Sequence, residues 1–294
     1  MIDWIWRQIG VSLPPDWEML QFSRESKRGR CAFADRRRFR FELNWHAFAA
    51  EPDFDRMMTD YASTLDANWH DIQSLRCAGW PGLTGRREHE IVSRFGRYFP
   101  LIGVLVEAVV IHPETRDSEL ESRILGSIRP VPVDPEGYQR WRTFGMDLKV
   151  PASFSFAESQ VQPARCGLLF QSDKGPDRWI FRRYGMLKSW LKTPLREWLE
   201  SQTDPAVRYR RLESGLIHTI PVERVHGEWR PRGLLLKKGL YAASAWIDPR
   251  DQRLYHVQCI TSKSNHAFHP RERAEKIMAS CPEFFSLPKP SIGK

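Results

Sequence analysis

Cysteine is scarce in this chain, and no two cysteines lie close together. The 294 residues hold five, Cys31, Cys77, Cys166, Cys259 and Cys281, with no CxxC pair. An odd, scattered set argues against a disulfide framework and for a reducing compartment, so a cytoplasmic location is expected. Long apolar runs are lacking too. The longest, Leu101 to Ile111, is broken by Gly103 and Glu107 and is too short to cross a bilayer as a helix. The opening MIDWIWRQIG has no basic segment running into an apolar core of export-signal length. P-loop, GxGxxG, HExxH and GxSxG patterns are all missing, and the carboxylates are scattered. No enzyme class and no cofactor is therefore expected from motif.

Large apolar side chains are plentiful. The hydrophobic fraction is 41%, with twelve Trp and sixteen Phe, which suits a folded globular chain. Lys and Arg outnumber Asp and Glu by 45 to 36, a net charge of +9 that is compatible with an anionic partner and silent about fold.

The chain also repeats itself. A shift of 135 positions brings WRQIGVSL over WRTFGMDL, placing Trp6, Arg7, Gly10 and Leu13 on Trp141, Arg142, Gly145 and Leu148. Without a gap, Arg30 and Cys31 then fall on Arg165 and Cys166. Average composition gives about two chance identities over such a window; six occur. An alternating strand follows each cysteine. In RFRFELNW, Phe39, Phe41, Leu43 and Trp45 share one face, with Trp179 and Phe181 of RWIFRRY in the matching places, and Phe39, Phe41, Leu43, Trp179 and Phe181 are expected to be buried. Each strand leads to a short helix, the first capped by Asp53 with Phe54, Met57, Met58, Tyr61 and Leu65 in one stripe, the second started by Thr193-Pro194. Further on, VLVEAVVIHPETR (104–116) is aligned with YAASAWIDPRDQR (241–253), and the helix ESRILGS (121–127) with AEKIMAS (274–280). The expected organisation is a first repeat at 1–131, a Pro-rich linker at 132–139, a second repeat at 140–285 and a flexible tail at 286–294. Helices set apart from a mainly antiparallel sheet predict an α+β fold in each repeat, with a mid-domain helix and a C-terminal helix.

The opening GVSLPPDWE, the hairpin segment, the single mid-domain helix, the long hairpin and the closing RILGSI helix together resemble the PsbP-like family. That family includes the extrinsic subunit of photosystem II and a small Ran-binding import factor. The resemblance implies tandem copies of a binding scaffold, mostly non-enzymatic, and carries no residue-level motif. The second copy departs from the opening pattern, reading LKVPASF.

Three constellations suggest chemistry. His256-x-x-Cys259, His266-x-x-His269 and Cys281 have residue types that hold zinc. On a strand, however, His256 and Cys259 point to opposite faces, so no metal site is assigned. Residues from about 254 to 269 are read as an extra strand and His-rich loop of the second copy. The run KRGRCAFADRRRFRF interleaves Arg36, Arg38 and Arg40 with Phe33, Phe39 and Phe41, which suits a single-stranded nucleic acid or a solvated sheet face. Cys31 and Cys166 read as core residues, not nucleophiles. Function is expected on what the copies do not share: a cleft or patch near Trp80, Arg86 and Arg87, the Arg36–Arg40 run, or His266 and His269. The leading expectation is a non-catalytic binding protein with a protein partner. A nucleic-acid-associated factor is the alternative, and a zinc-dependent enzyme built on 256–281 is third.

Overall fold

The computed structural model describes residues 1–65, 67–173, 175–217, 219–231 and 238–262. One compact unit covers Met1–Gly145 and a second begins at Met146. The first opens with a hairpin, β1 (Ile2–Trp6) and β2 (Ile9–Leu13). Then come β3 (Glu18–Phe22), β4 (Arg28–Ala34), β5 (Phe39–Ala47) and helix α1 (Phe54–Thr64). Four strands follow, β6 (Trp69–Cys77), β7 (Trp80–Arg87), β8 (Glu90–Phe99) and β9 (Val104–His112), leading to helix α2 (Ser118–Ser127). Two further strands, β10 (Arg129–Pro130) and β11 (Tyr138–Thr143), complete the unit. Its main sheet is antiparallel in the order β3-β4-β5-β9-β8-β7-β6, and β10-β2-β1-β11 run side by side in a smaller sheet.

The second unit contains β12 (Met146–Pro151), β13 (Phe154–Gln162), β14 (Arg165–Ser172) and β15 (Arg178–Tyr184). Two short helices, α3 (Leu187–Trp190) and α4 (Leu195–Ser201), come next. Strands β16 (Val207–Ile217), β17 (Ile220–Trp229), β18 (Gly239–Asp248) and β19 (Arg253–Ser262) finish the described part. The main sheet runs β13-β14-β15-β19-β18-β17-β16, the same order as in the first unit. Aligned at Cys31 and Cys166, the ladders correspond row by row. Cys31, Leu43, Ala108 and Phe95 lie across the first sheet where Cys166, Arg183, Tyr255 and Trp246 lie across the second. The next row reads Phe33, Phe41, Val110, Ser93 against Leu168, Phe181, Val257, Ser244, with both serines buried.

Three expectations are corrected. Among the described residues strand accounts for 58% and helix for 13%, with three sheets and four short helices, so they form a mostly antiparallel β structure and not α+β. Period-2 alternation continues through the long hairpins and leaves only short segments for helix; residues 274–280 lie outside the described residues. By sheet position β9 corresponds to β19, not to the 241–253 segment, and the second unit has no added strand among the described residues. Ile-x-Pro endings made β9 and β18 look alike, but pairing partners decide the correspondence. Finally, Phe41, Leu43, Trp45, Trp179 and Phe181 are buried, whereas Phe39 is 37% exposed. Phe33 pairs with Phe41 but Ala34 pairs with Phe39, so a β-bulge turns Phe39 out of the alternation. Phe39→Ala should therefore cost less than about 1 kcal/mol in urea denaturation. A loss of about 3 kcal/mol would place the ring in the core.

The helices cover the sheets unequally. Asp117 caps α2 by accepting from the Leu120 amide, and Ile124 and Leu125 of α2 are buried. Asp53 caps α1 by accepting from the Arg56 amide, but no residue of α1 is fully buried. In the second unit, Trp198 and Leu199 of α4 seal a core of Tyr184, Val225, Tyr241, Ala243, Ala245 and Leu254. No helix among the described residues is long and apolar enough to cross a membrane.

Candidate functional site

The half-exposed helix α1 stands over a cleft of about 650 Å³ on the first unit's main sheet. Alternation builds its two walls. On β5, Phe41, Leu43 and Trp45 turn into the core, so Glu42 and Asn44 face the cleft. Glu107, the lone acid in the apolar strand β9, pairs directly with Asn44, and Arg94 arrives from β8. The opposite wall is the apolar stripe of α1: Phe54, Met57, Met58 and Tyr61. Gly96 lies under Phe54, and a Cβ there would come within 3.0 Å of the ring.

The floor is a connected polar group. Arg94 donates to one oxygen of Glu107 at 2.9 Å, and the Asn44 amide donates to the other at 3.0 Å. The Arg94 guanidinium also lies over the Tyr61 ring, 4.2 Å from its centre. Burial raises the Tyr61 pKa, against the pull of that guanidinium. With Glu107 engaged at both oxygens, Arg28, Arg30 and Glu42 supply the remaining charge. These groups present donors, acceptors and apolar surface to the cleft.

The corresponding face of the second unit is closed. At the sheet positions of Asn44, Glu107 and Arg94 stand Tyr184, Leu254 and Ala245. Trp198 of α4 packs edge-on against Tyr184 at 5.4 Å. One copy thus fills a space that the other leaves open.

The residues expected from sequence are dispersed. Arg36 and Arg38 are exposed in the loop between β4 and β5, where the Arg37 and Arg38 amides donate to Asp35 at 2.7 and 2.9 Å. Burial opposes ionisation of Asp35, but these amides and the Arg40 and Arg38 charges outweigh it and lower its pKa. Arg40 lies lower, 3.4 Å from Asp35 and over the Trp17 ring. Trp80 cannot line an exposed patch, because it is fully buried at the start of β7, beside Phe99. Arg86 and Arg87 are exposed at the other end of that strand, about 20 Å away at ordinary strand rise. His266, His269 and Cys281 lie outside the described residues. His256 and Cys259 are both buried and sit on opposite faces of β19. Among the described residues no three His, Cys, Asp or Glu side chains are grouped to hold a metal ion. Burial pushes the Cys31 thiol well up and the Cys166 thiol to about 11, which disfavours the thiolate. The cleft residues Asn44, Arg94 and Glu107 were missed. Their one sequence signal was Glu107 interrupting an otherwise apolar strand.

Compared with known proteins, the chain matches no family model and no curated protein.

Proposed function

We propose that this chain is a non-catalytic binding protein with two tandem PsbP-like domains, and that the cleft under α1 takes a segment of a partner protein. The family reading rests on the sequence resemblance of both copies, and the tandem reading is supported by the shared strand order of the two main sheets. The observation that carries the binding reading is the unequal seating of the helices: α4 seals its sheet, whereas α1 leaves Met57 39% exposed over a polar floor. An amphipathic segment fits between such walls. Its apolar side chains meet Phe54, Met57 and Met58, and its polar groups reach Glu42, Asn44 and Arg94. Methionine adapts to irregular partners. Four free cysteines among the described residues, Cys31, Cys77, Cys166 and Cys259, support the cytoplasmic placement.

The test is selection of displayed peptides on the full chain, followed by affinity measurement on Met57→Arg, a substitution at an exposed site. Selected peptides should share an amphipathic spacing and bind the variant about tenfold or more weakly. Peptides that bind both proteins equally, or no enrichment at all, would remove the cleft as the site.

A nucleic-acid association is the second reading, favoured by the joint exposure of Arg36, Arg37 and Arg38. Phe33 and Phe41 lie buried beneath them, so only Phe39 of that run offers an exposed ring for stacking. Retention on single-stranded DNA that weakens with salt and with Arg36→Gln plus Arg38→Gln would favour this reading over the first.

A further inference from the structure

We propose that the second unit binds a compact dianion, a phosphate monoester or inorganic phosphate, in a second cavity where Arg183 and Arg253 meet on one face of the main sheet. This site is independent of the cleft under α1. The cavity lies at one end of the main sheet and measures about 650 Å³, room for a small ligand.

The comparison between repeats shows how the space arises. Arg183 stands at the sheet position of Leu43, and Arg253 at that of Val106. Two residues beyond Arg183, Gly185 takes the place of Trp45. Leu43, Trp45 and Val106 are all buried in the first unit. The second unit has thus exchanged three core side chains for two guanidinium groups and a glycine. At Gly185 an added Cβ would meet only ordinary contacts, 3.9 Å from Ala164. A core position gains nothing in stability from an arginine, so the exchange calls for a reason outside folding.

The charges point to the ligand. Arg183 and Arg253 line the cavity from one face of the sheet against one carboxylate, Asp251. That carboxylate is already engaged: the Tyr255 hydroxyl donates to it at 2.7 Å and the Arg253 amide at 3.1 Å, with the Arg253 guanidinium 4.0 Å away. The Arg183 guanidinium makes no hydrogen bond or ion pair with a described side chain and is drawn only at longer range toward Asp251. Burial lowers the Arg183 pKa, and repulsion from Arg253 adds to the effect. A bound dianion offsets both effects, because its oxygens carry the opposite charge and accept paired N–H bonds from a guanidinium fork. Lys188 is exposed at the rim, whereas Arg165 lies over the Tyr184 ring on the opposite face of the sheet.

The test is calorimetric titration of the full chain with inorganic phosphate and with phenyl phosphate, at constant ionic strength with chloride as the control. Saturable binding of phosphate or phenyl phosphate is expected, weakened roughly tenfold to a hundredfold in Arg183→Gln and in Arg183→Leu. The leucine variant restores the residue that the first unit carries at this position, so it should remain folded. Arg123→Gln, at an exposed α2 position in the other unit, should bind as wild type does. Absence of saturable binding, or equal binding by the Arg183 variants, would overturn the proposal. So would an oligonucleotide that binds through Arg183 while phenyl phosphate does not.

Discussion

Glu121→Ala should destabilise the first unit by about 3–5 kcal/mol, the usual cost of removing one partner from a buried ionic group. Glu121 points from α2 into the sheet and is completely buried. The Asp117 amide donates to Nδ1 of His112 at 3.3 Å, which leaves Nε2 of a neutral ring carrying the proton. Nε2 then donates to one Glu121 oxygen at 2.9 Å, while Arg116 donates twice to the other at 2.9 and 2.6 Å. Truncation to alanine strands the buried imidazole N–H. Glu121→Gln keeps an acceptor and should lose less, about 1.5–3 kcal/mol. Burial works against ionisation of Glu121, but the hydrogen bonds from His112, Arg116 and Ser93 and the Arg116 charge win, holding its pKa at about 2 against an ordinary 4.5. Because the folded pKa is depressed, this contribution is complete above pH 4.5 and is lost as pH falls toward 2. At neutral pH it amounts to about 3 kcal/mol. Hydrogen exchange of the α2 and β9 amides against pH and denaturant measures it locally. An alanine variant within about 1 kcal/mol of wild type would show the network to be dispensable.

Local patterns were legible wherever the backbone stayed regular. Alternation placed Phe41, Leu43, Trp45, Trp179 and Phe181 inside, and Asp53 does cap α1. Phe39 failed because a bulge is a property of pairing, set by which residue stands opposite, and one strand read alone cannot show it. Trp80 was expected at a patch because the copies do not share its segment, but its burial depends on Phe99, a partner contributed by β8. The fold class failed for a different reason. Short amphipathic helices stand out in sequence while long hairpins do not, so the helices were over-weighted. The cleft was the least legible part. Its floor joins Asn44, Arg94 and Glu107, which meet only once β5, β9 and β8 are neighbours, an order the chain does not follow. Whether α1 sits high or low over them depends on Gly96, a residue without a side chain to announce it.

Lowering the pH below 6.5 should destabilise the second unit through one residue, His256. The imidazole is fully buried in β19, its ring 5.2 Å from Trp198, and neither nitrogen has a hydrogen-bond partner among the described residues. Burial depresses its pKa from an ordinary 6.5 to about 3, and the charges of Arg182 and Arg165 add to the depression. The unfolded chain therefore takes up a proton that the folded chain refuses. Stability is complete above pH 6.5 and falls as pH drops toward 3, by about 5 kcal/mol over the whole window. About half of that loss falls between pH 6.5 and 4.5, before Glu121 begins to contribute. His256→Leu removes an unsatisfied buried group, so at neutral pH the variant should match or exceed wild type. Below pH 6.5 it should hold its stability while wild type loses it. Urea denaturation followed by hydrogen exchange at β18 and β19, repeated from pH 7.5 to 4.5, separates the two proteins. If the leucine variant loses stability with the same slope across that range, the acid sensitivity of the second unit arises from a group other than His256.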